Sequence, residues 1–342
     1  MEKKNVTFKD IAEYTGFSKT TISRYFNDPD SLTLENQQKI ADALVALDYK
    51  ENKVARILAN GETEYVGIIV PNLYLHYYSE MLNQLLSSYE QFGYKFLVFV
   101  GDEKKDVERK YISELLAYKI EGMIILSHTI SSEELASYHV PIVTIEREDK
   151  YVCSVNTDNY TGGRQAAELL SRCGCDILLH INADVSEDVP SYGRIAGFRD
   201  YCSEHTLHHQ IIFTELSTVY AESTERIARI IEQVEKDYPD QRKGIFMSND
   251  THANMLLNLL IRKYGKLPDD YRIVGFDNAS ISSEAVIPIS TVGQQIDVMA
   301  QEAMELLVQQ MNERKKRRPT PLKEPIHKTV APILIERDTT TV

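Results

Sequence analysis

The 342-residue chain has no stretch of eighteen apolar residues, so no part of it is expected to span a membrane. Its opening Met-Glu-Lys-Lys-Asn leads to no apolar run, and no secretory signal is expected. The four cysteines, Cys153, Cys173, Cys175 and Cys202, include no C-x-x-C pair and no zinc spacing. Reduced thiols in a cytoplasmic protein account for them, with no metal and no cofactor. The P-loop, G-x-S-x-G and H-E-x-x-H motifs are also missing, which argues against an enzyme. His208-His209 does not replace them, because successive side chains seldom converge on one ion; the pair reads as a solvated loop. Basic excess is absent as well: the net charge is −13.

What is there begins at residue 7. Thr7 and Asp10 fit a capping box, so a helix can start at Phe8, with Ile11 and Ala12 on the same apolar face. Gly16 supplies a turn and Ser18 an N-cap for a second helix. Ile22, Tyr25 and Phe26 repeat at helical spacing in it, which leaves Lys19, Thr20, Ser23 and Arg24 on the solvent face. In a helix-turn-helix that face of the second helix enters the DNA major groove. An ordinary helical hairpin would bury apolar residues at the same spacing. Thr33 can cap a third helix, from Leu34 to about Leu47, with Ile40, Ala43, Leu44 and Leu47 on one face. Asn52 to Gly61 then forms a short helix candidate, too short to be stable alone in water.

The pattern V-T-F-K-D-I-A-E-Y-T-G-F-S-K-T-T-I-S-R-Y-F-N, followed by N-K-V-A-R-I-L-A-N-G, resembles the headpiece and hinge of the LacI/GalR family of bacterial repressors. The resemblance is dense over about sixty residues and looser beyond. It implies DNA contacts from Thr7, Ser18, Lys19, Thr20, Thr21, Ser23, Arg24 and Asn27, and from the hinge residues Asn52, Val54, Ala55 and Leu58. Leu58 stands where the family wedges a leucine into the minor groove, a step that bends the duplex. Glu51 replaces the usual proline before the hinge asparagine, and a carboxylate beside phosphates is unhelpful. The charge fits partly: residues 1–60 carry nine Lys/Arg and nine Asp/Glu, so the whole −13 lies beyond them. DNA binding would rest on a focused basic face and on dimerisation, with a weak non-specific component.

From Tyr65 short apolar runs alternate with amphipathic stretches. Strands are expected at 65–71, 94–100, 122–126, 142–145, 176–181, 245–247 and 272–276. Helices are expected at 77–91, 107–117, 163–173, 192–205, 224–236, from 249 and at 298–314. This rhythm predicts α/β lobes with doubly wound parallel sheets, and the resemblance implies a periplasmic-binding-protein-like pair of them around a cleft. The expected division is 1–50 helix-turn-helix domain, 51–61 hinge helix, 62–160 with 292–322 as the first lobe, and 161–291 with 323–342 as the second.

Ligands of open α/β sheets bind beyond the carboxyl ends of strands. Glu146 with Arg147, Asn249 with Asp250, and Asp277 with Asn278 stand at such ends; all could merely cap helices or end strands, and Asp250 and Asn278 are read so. The resemblance assigns Arg194, Asn249 and Asp277 to the effector and adds Asn72, Tyr77, Tyr78 and Gln294 around the cleft, and Glu146 joins them from its strand end. A guanidinium and a carboxylate can each span two vicinal hydroxyls. Tyr77 and Tyr78 could pack on a sugar ring or belong to the core. Departures from the family are Cys175 for a frequent histidine, and Leu216 where some relatives carry a stacking aromatic, with Tyr220 nearby. The run Arg314–Arg318 ends a helix before Pro319 and reads as a solvated cap. The implied function is a repressor of carbohydrate-utilisation genes. Its expected partners are operator DNA, a sugar, sugar acid or sugar phosphate, and a second copy of the chain, since no tetramerising heptads follow. The alternatives are a carbon regulator controlled by a phosphocarrier protein, or a sugar-processing enzyme on the same core.

Overall fold

A computed structural model describes residues 6–50, 62–147, 150–320 and 322–341. The hinge readings at Asn52, Val54, Ala55 and Leu58 lie outside the described residues. The chain divides into two units, 1–62 and 63–342.

In the first unit, α1 (Phe8–Thr15) begins where the Asp10 carboxylate accepts from both the amide and the hydroxyl of Thr7, each at 2.7 Å. It ends at Gly16, whose φ of 75° only glycine adopts freely. Ser18 Oγ then accepts from the Thr21 amide at 3.1 Å and starts α2 (Lys19–Asn27). Thr33 does the same for α3 (Leu34–Ala46) through Asn36. Ile11, Ile22, Ile40 and Ala43 form the buried centre, with one residue or more from each helix. Phe8 stacks on Phe26 with ring centroids 5.0 Å apart.

The second unit holds two six-stranded sheets among the described residues. The first contains β1 (Tyr65–Val70), β2 (Lys95–Val100), β3 (Gly122–Ile125), β4 (Ile142–Ile145), β5 (Cys153–Thr157) and β11 (His327–Val330), in spatial order β11-β5-β4-β3-β1-β2 and parallel throughout. The second contains β6 (Ile177–Asn182), β7 (His209–Phe213), β8 (Lys243–Met247), β9 (Tyr271–Asp277), β10 (Ser290–Gly293) and β12 (Ile333–Ile335), in order β12-β10-β9-β8-β6-β7. There β12 runs antiparallel to β10, an exception to the expected parallel pairing.

Strand side chains alternate between faces, and the cores record it. Ile68 and Ile124 join α4 (His76–Ser87) and α13 (Ile296–Lys315) on one face of the first sheet. Ile69 and Met123 join α6 (Lys105–Ala117) and α7 (Ser132–Ser137) on the other; α5 is the short turn Tyr89–Phe92. In the second sheet Ile245 faces α10 (Tyr220–Asp237) and α11 (Asp250–Tyr264), while Phe246 faces α8 (Asn159–Arg172) and α9 (Tyr192–Glu204). The remaining helix, α12, is Ser280–Glu284. Helices α8 and α9 approach closely because Gly163 and Gly197 lack side chains: a Cβ on either would collide with a carbonyl, of Arg194 or Tyr160 respectively.

The chain crosses between sheets after β5, after β10 and after β11. Two expected boundaries move accordingly. Residues up to Gly293 belong to the second lobe, because β10 pairs with β9. Residues 327–330 belong to the first, because β11 pairs with β5; the return crossing lies at 331–332 rather than near 322. His209 is also not a loop residue, as it opens β7 against Leu178.

Candidate functional site

The exposed surface of α2 carries Lys19, Thr20 and Arg24, with Ser18 and Asn27 exposed at its ends. Ile22 is fully buried on the reverse side, and Tyr25 and Phe26 pack there too, so the amphipathic pattern fixes which face points outward. Thr21 and Ser23 are half-buried and hydrogen-bonded locally, Thr21 to Ser18 and Ser23 to Asn27. Thr7 is exposed but committed to Asp10. The result is a helix presenting two cations and short hydroxyl side chains, a set suited to phosphates and base edges.

The second site is a cavity of about 510 Å³ at the carboxyl ends of both sheets, walled by both lobes. From the first lobe come Tyr77 and Tyr78 on α4, Glu103, His128 and Glu146. From the second come Asn182, Arg194, Ser248, Asn249, His252 and Asp277, with Gln294 at a crossing. A larger concavity, about 700 Å³, opens at the amino ends of β4 and β5 and is walled by the first lobe alone.

One hydrogen-bonded cluster lines the cavity between the lobes. Arg194 donates through Nε to Asn159 Oδ1 and through Nη1 to the Ser248 carbonyl, both at 2.7 Å. Its guanidinium lies 3.7 Å above the Phe276 ring and Nη2 is 3.7 Å from Glu146 Oε2. Glu146 itself accepts from the Thr157 amide at 2.5 Å and from Asn159 Nδ2 at 2.9 Å. Gln294 donates to Asp277 Oδ1 at 2.7 Å and accepts from Thr157 Oγ1 at 2.6 Å. Thus Glu146, Arg194, Asp277 and Gln294 tie the two lobes through the crossings at 157–159 and 294–295.

The two carboxylates are held at an energetic cost. Glu146 (φ 55°) and Asp277 (φ 108°) both occupy the positive-φ region that side chains disfavour, at about 1–3 kcal/mol each. Burial pushes the Asp277 carboxyl up to about 7, against the opposing pull of Arg194. Burial likewise raises the Tyr77 hydroxyl, with Glu146 and Asp277 adding to it.

Of the eight expected effector residues, Tyr77, Tyr78, Glu146, Arg194, Asn249, Asp277 and Gln294 line the cavity. Asn72 does not. Its Oδ1 accepts from the amides of Tyr74 and Leu75 and closes the turn before α4. Asn249 lines the cavity while also capping α11 through the His252 amide at 2.9 Å. Tyr220 opens α10 away from the cavity. Asp250 accepts from the Ala279 amide and Asn278 from Arg337, so both stabilise the fold, as their positions suggested. His128, Asn182, Ser248 and His252 were missed. His128 and Ser248 follow strand ends and Asn182 is the last residue of β6, so the strand-end rule reaches them; His252 lies in the first turn of a helix and carries no such signal.

Two family matches cover most of the chain. Residues 7–52 match bacterial regulatory proteins of the lacI family, and residues 154–340 match the periplasmic binding protein-like domain. The chain is 28% identical to a sucrose operon repressor of Streptococcus mutans over 89% of its own length and 92% of that protein's. It is 24% identical to a ribose operon repressor of Halalkalibacterium halodurans over 90% and 91% of the two chains. Its fold resembles a lac repressor dimer bound to operator and an anti-inducer, with a TM-score of 0.80 at 20% identity over 99% of this chain and 100% of that one. It also resembles a complex of the transcriptional regulator CelR with cellobiose, with a TM-score of 0.68 at 20% identity over 98% and 100%. A regulatory protein, rather than an enzyme, is what these relatives have in common, and among the described residues no helix is long and apolar enough to cross a membrane. The polarised helix-turn-helix and the cleft between two parallel-sheet lobes thus occur together for a reason: the chain belongs to the lacI family of bacterial regulatory proteins, with a periplasmic binding protein-like core.

Proposed function

We propose that this chain is a repressor of carbohydrate-utilisation genes, which binds a roughly palindromic operator as a homodimer and responds to a sugar-like effector in the cleft. The observation that carries the effector half is the two-lobed cavity, with Arg194 and Asp277 on one lobe and Tyr77, Tyr78 and Glu146 on the other. A ligand touching both walls ties its binding energy to lobe closure. Lys19, Thr20 and Arg24 would read the operator from α2, supported by Thr7, Ser18, Thr21, Ser23 and Asn27. Leu58 would wedge the minor groove, with Asn52, Val54 and Ala55 beside it.

Relatives named for sucrose and ribose operons support a carbohydrate effector. The test is footprinting on DNA upstream of the chain's own gene and its neighbours, with and without a panel of sugars. A protected palindrome that one sugar releases is expected. Absence of any protected site would remove the operator, and protection indifferent to every sugar would remove the effector.

A further inference from the structure

Two buried donors in the cleft have no hydrogen-bond partner among the described residues, one on each lobe: Tyr77 Oη and His252 Nε2. Both residues are more than nine-tenths buried, and both line the cavity. The His252 tautomer follows from its neighbour. Asn249 Oδ1 accepts from the His252 amide, so Asn249 Nδ2 is the group 2.9 Å from His252 Nδ1. An N–H pointed at Nδ1 makes that atom the acceptor, which places the ring proton on Nε2. Burial lowers the His252 imidazole to about 4, so it stays neutral at pH 7. The cavity wall therefore holds two uncharged donors, and a buried donor left unpaired is destabilising.

The charges around them have one sign in excess. Glu103, Glu146 and Glu215 line the cavity against the single guanidinium of Arg194, and Asp277, held near 7, is only partly charged at neutral pH. Arg194 is itself engaged by Asn159, Ser248 and Glu146. At the start of α9, where a helix could hold an anion, the amides of Tyr192, Gly193 and Arg194 already donate to the carbonyls of Val189, Pro190 and Ser191.

Resting on the effector reading above, we infer that the cleft takes an uncharged polyhydroxylic ligand, whose oxygens accept from Tyr77 Oη and His252 Nε2, and rejects the phosphorylated and acidic forms of the same sugars. A phosphate or carboxylate there would lose its water and face the carboxylates of Glu103, Glu146 and Glu215, a like-charge juxtaposition that disfavours binding.

Calorimetric titration of the full chain with matched sets tests this: ribose with ribose 5-phosphate, glucose with glucose 6-phosphate and gluconate, sucrose and cellobiose with their phosphate esters. A neutral member should bind, and its anionic counterparts at least roughly tenfold more weakly. Tyr77→Phe, which deletes only the hydroxyl, should then weaken the neutral sugar roughly tenfold without lowering the melting temperature of the unliganded protein. His252→Leu should weaken it similarly, and His252→Gln, which keeps a donor, should weaken it less. Tighter binding of an anionic member overturns the charge selection while sustaining the effector reading. Unchanged affinity in both Tyr77→Phe and His252→Leu overturns the donor assignment. No binding by any sugar, together with operator binding indifferent to all of them, overturns the effector reading and this inference with it.

Discussion

Asp277 carries the most consequential titration in the cleft. Its folded-state value lies near 7, well above the ordinary carboxylate range, because burial disfavours the charge more than Arg194 and Gln294 favour it. A carboxyl whose folded value is raised binds its proton more tightly in the native state. Between about pH 4 and pH 7 the native state therefore holds more protons than the unfolded one, and this group's contribution to stability falls as pH rises. Asp277→Asn keeps the acceptor for Gln294 and removes the buried charge. It should melt higher than the wild type at pH 8, by at least about 2 °C, with the gap closing toward pH 5. A gap independent of pH would place the titration elsewhere. On α2, Arg24 is exposed and makes no contact that the headpiece core needs. Arg24→Ala should cost about 1–3 kcal/mol on operator DNA and far less on random DNA, measured by competition binding. Equal losses on both would make Arg24 a phosphate contact instead.

At the scale of elements, the α8–α9 pair positions the guanidinium that organises the cleft. Arg194 lies in the first turn of α9, and Asn159, its partner, opens α8. Their close approach depends on Gly163 and Gly197. Gly197→Ala should push the helices apart, lower stability by about 1–3 kcal/mol and weaken ligand binding, while α2 keeps its own core. Thermal melting and ligand titration together check this; an unchanged melting temperature would mean that the pair relaxes without strain. The glycine is visible in the sequence within R-I-A-G-F, but the carbonyl it accommodates, on Tyr160, is thirty-seven residues away.

At the scale of the whole second unit, the lobes also meet outside the cavity. Glu80 on α4 accepts from the Ser280 amide at 2.7 Å and its hydroxyl at 2.8 Å, and His76 Nδ1 meets Thr251 Oγ1 at 3.0 Å. These bonds join the first lobe to α11 and α12 outside the cavity and hold the two lobes together. Glu80→Ala should lower affinity for a cleft ligand a few-fold without touching the ligand, a loss of about 1 kcal/mol. Operator and ligand should be linked reciprocally: each changes the other's affinity by one common factor. Calorimetry with and without operator measures it, and identical ligand affinity in both conditions would remove the coupling.

The headpiece and the rhythm of the core were legible in the residues alone. Caps at Thr7, Ser18 and Thr33, the Gly16 turn and the Ile11–Ile22–Ile40 spacing are local signals, and local backbone chemistry sets them. The long apolar strands β1, β6 and β9 were equally legible, because a strand buried on both faces reads as a continuous hydrophobic run. The rest depended on contacts between residues distant in the chain. Strand β5, Cys-Ser-Val-Asn-Thr, is wholly buried yet polar, since Ser154 meets His327 across the sheet and Asn156 within the strand, while Thr157 donates to Gln294 at a crossing. Strands β10, β11 and β12 are short, and their lobe is set by pairing with residues far along the chain. Most cleft residues stood at strand ends where a general rule finds them, but Asn72 and His252 traded roles. The Asn72 carboxamide is consumed by a local turn, while packing of α11 leaves the far nitrogen of His252 buried against the cavity without a partner. Which polar groups remain unsatisfied depends on every neighbour at once, and no sequence window contains them all.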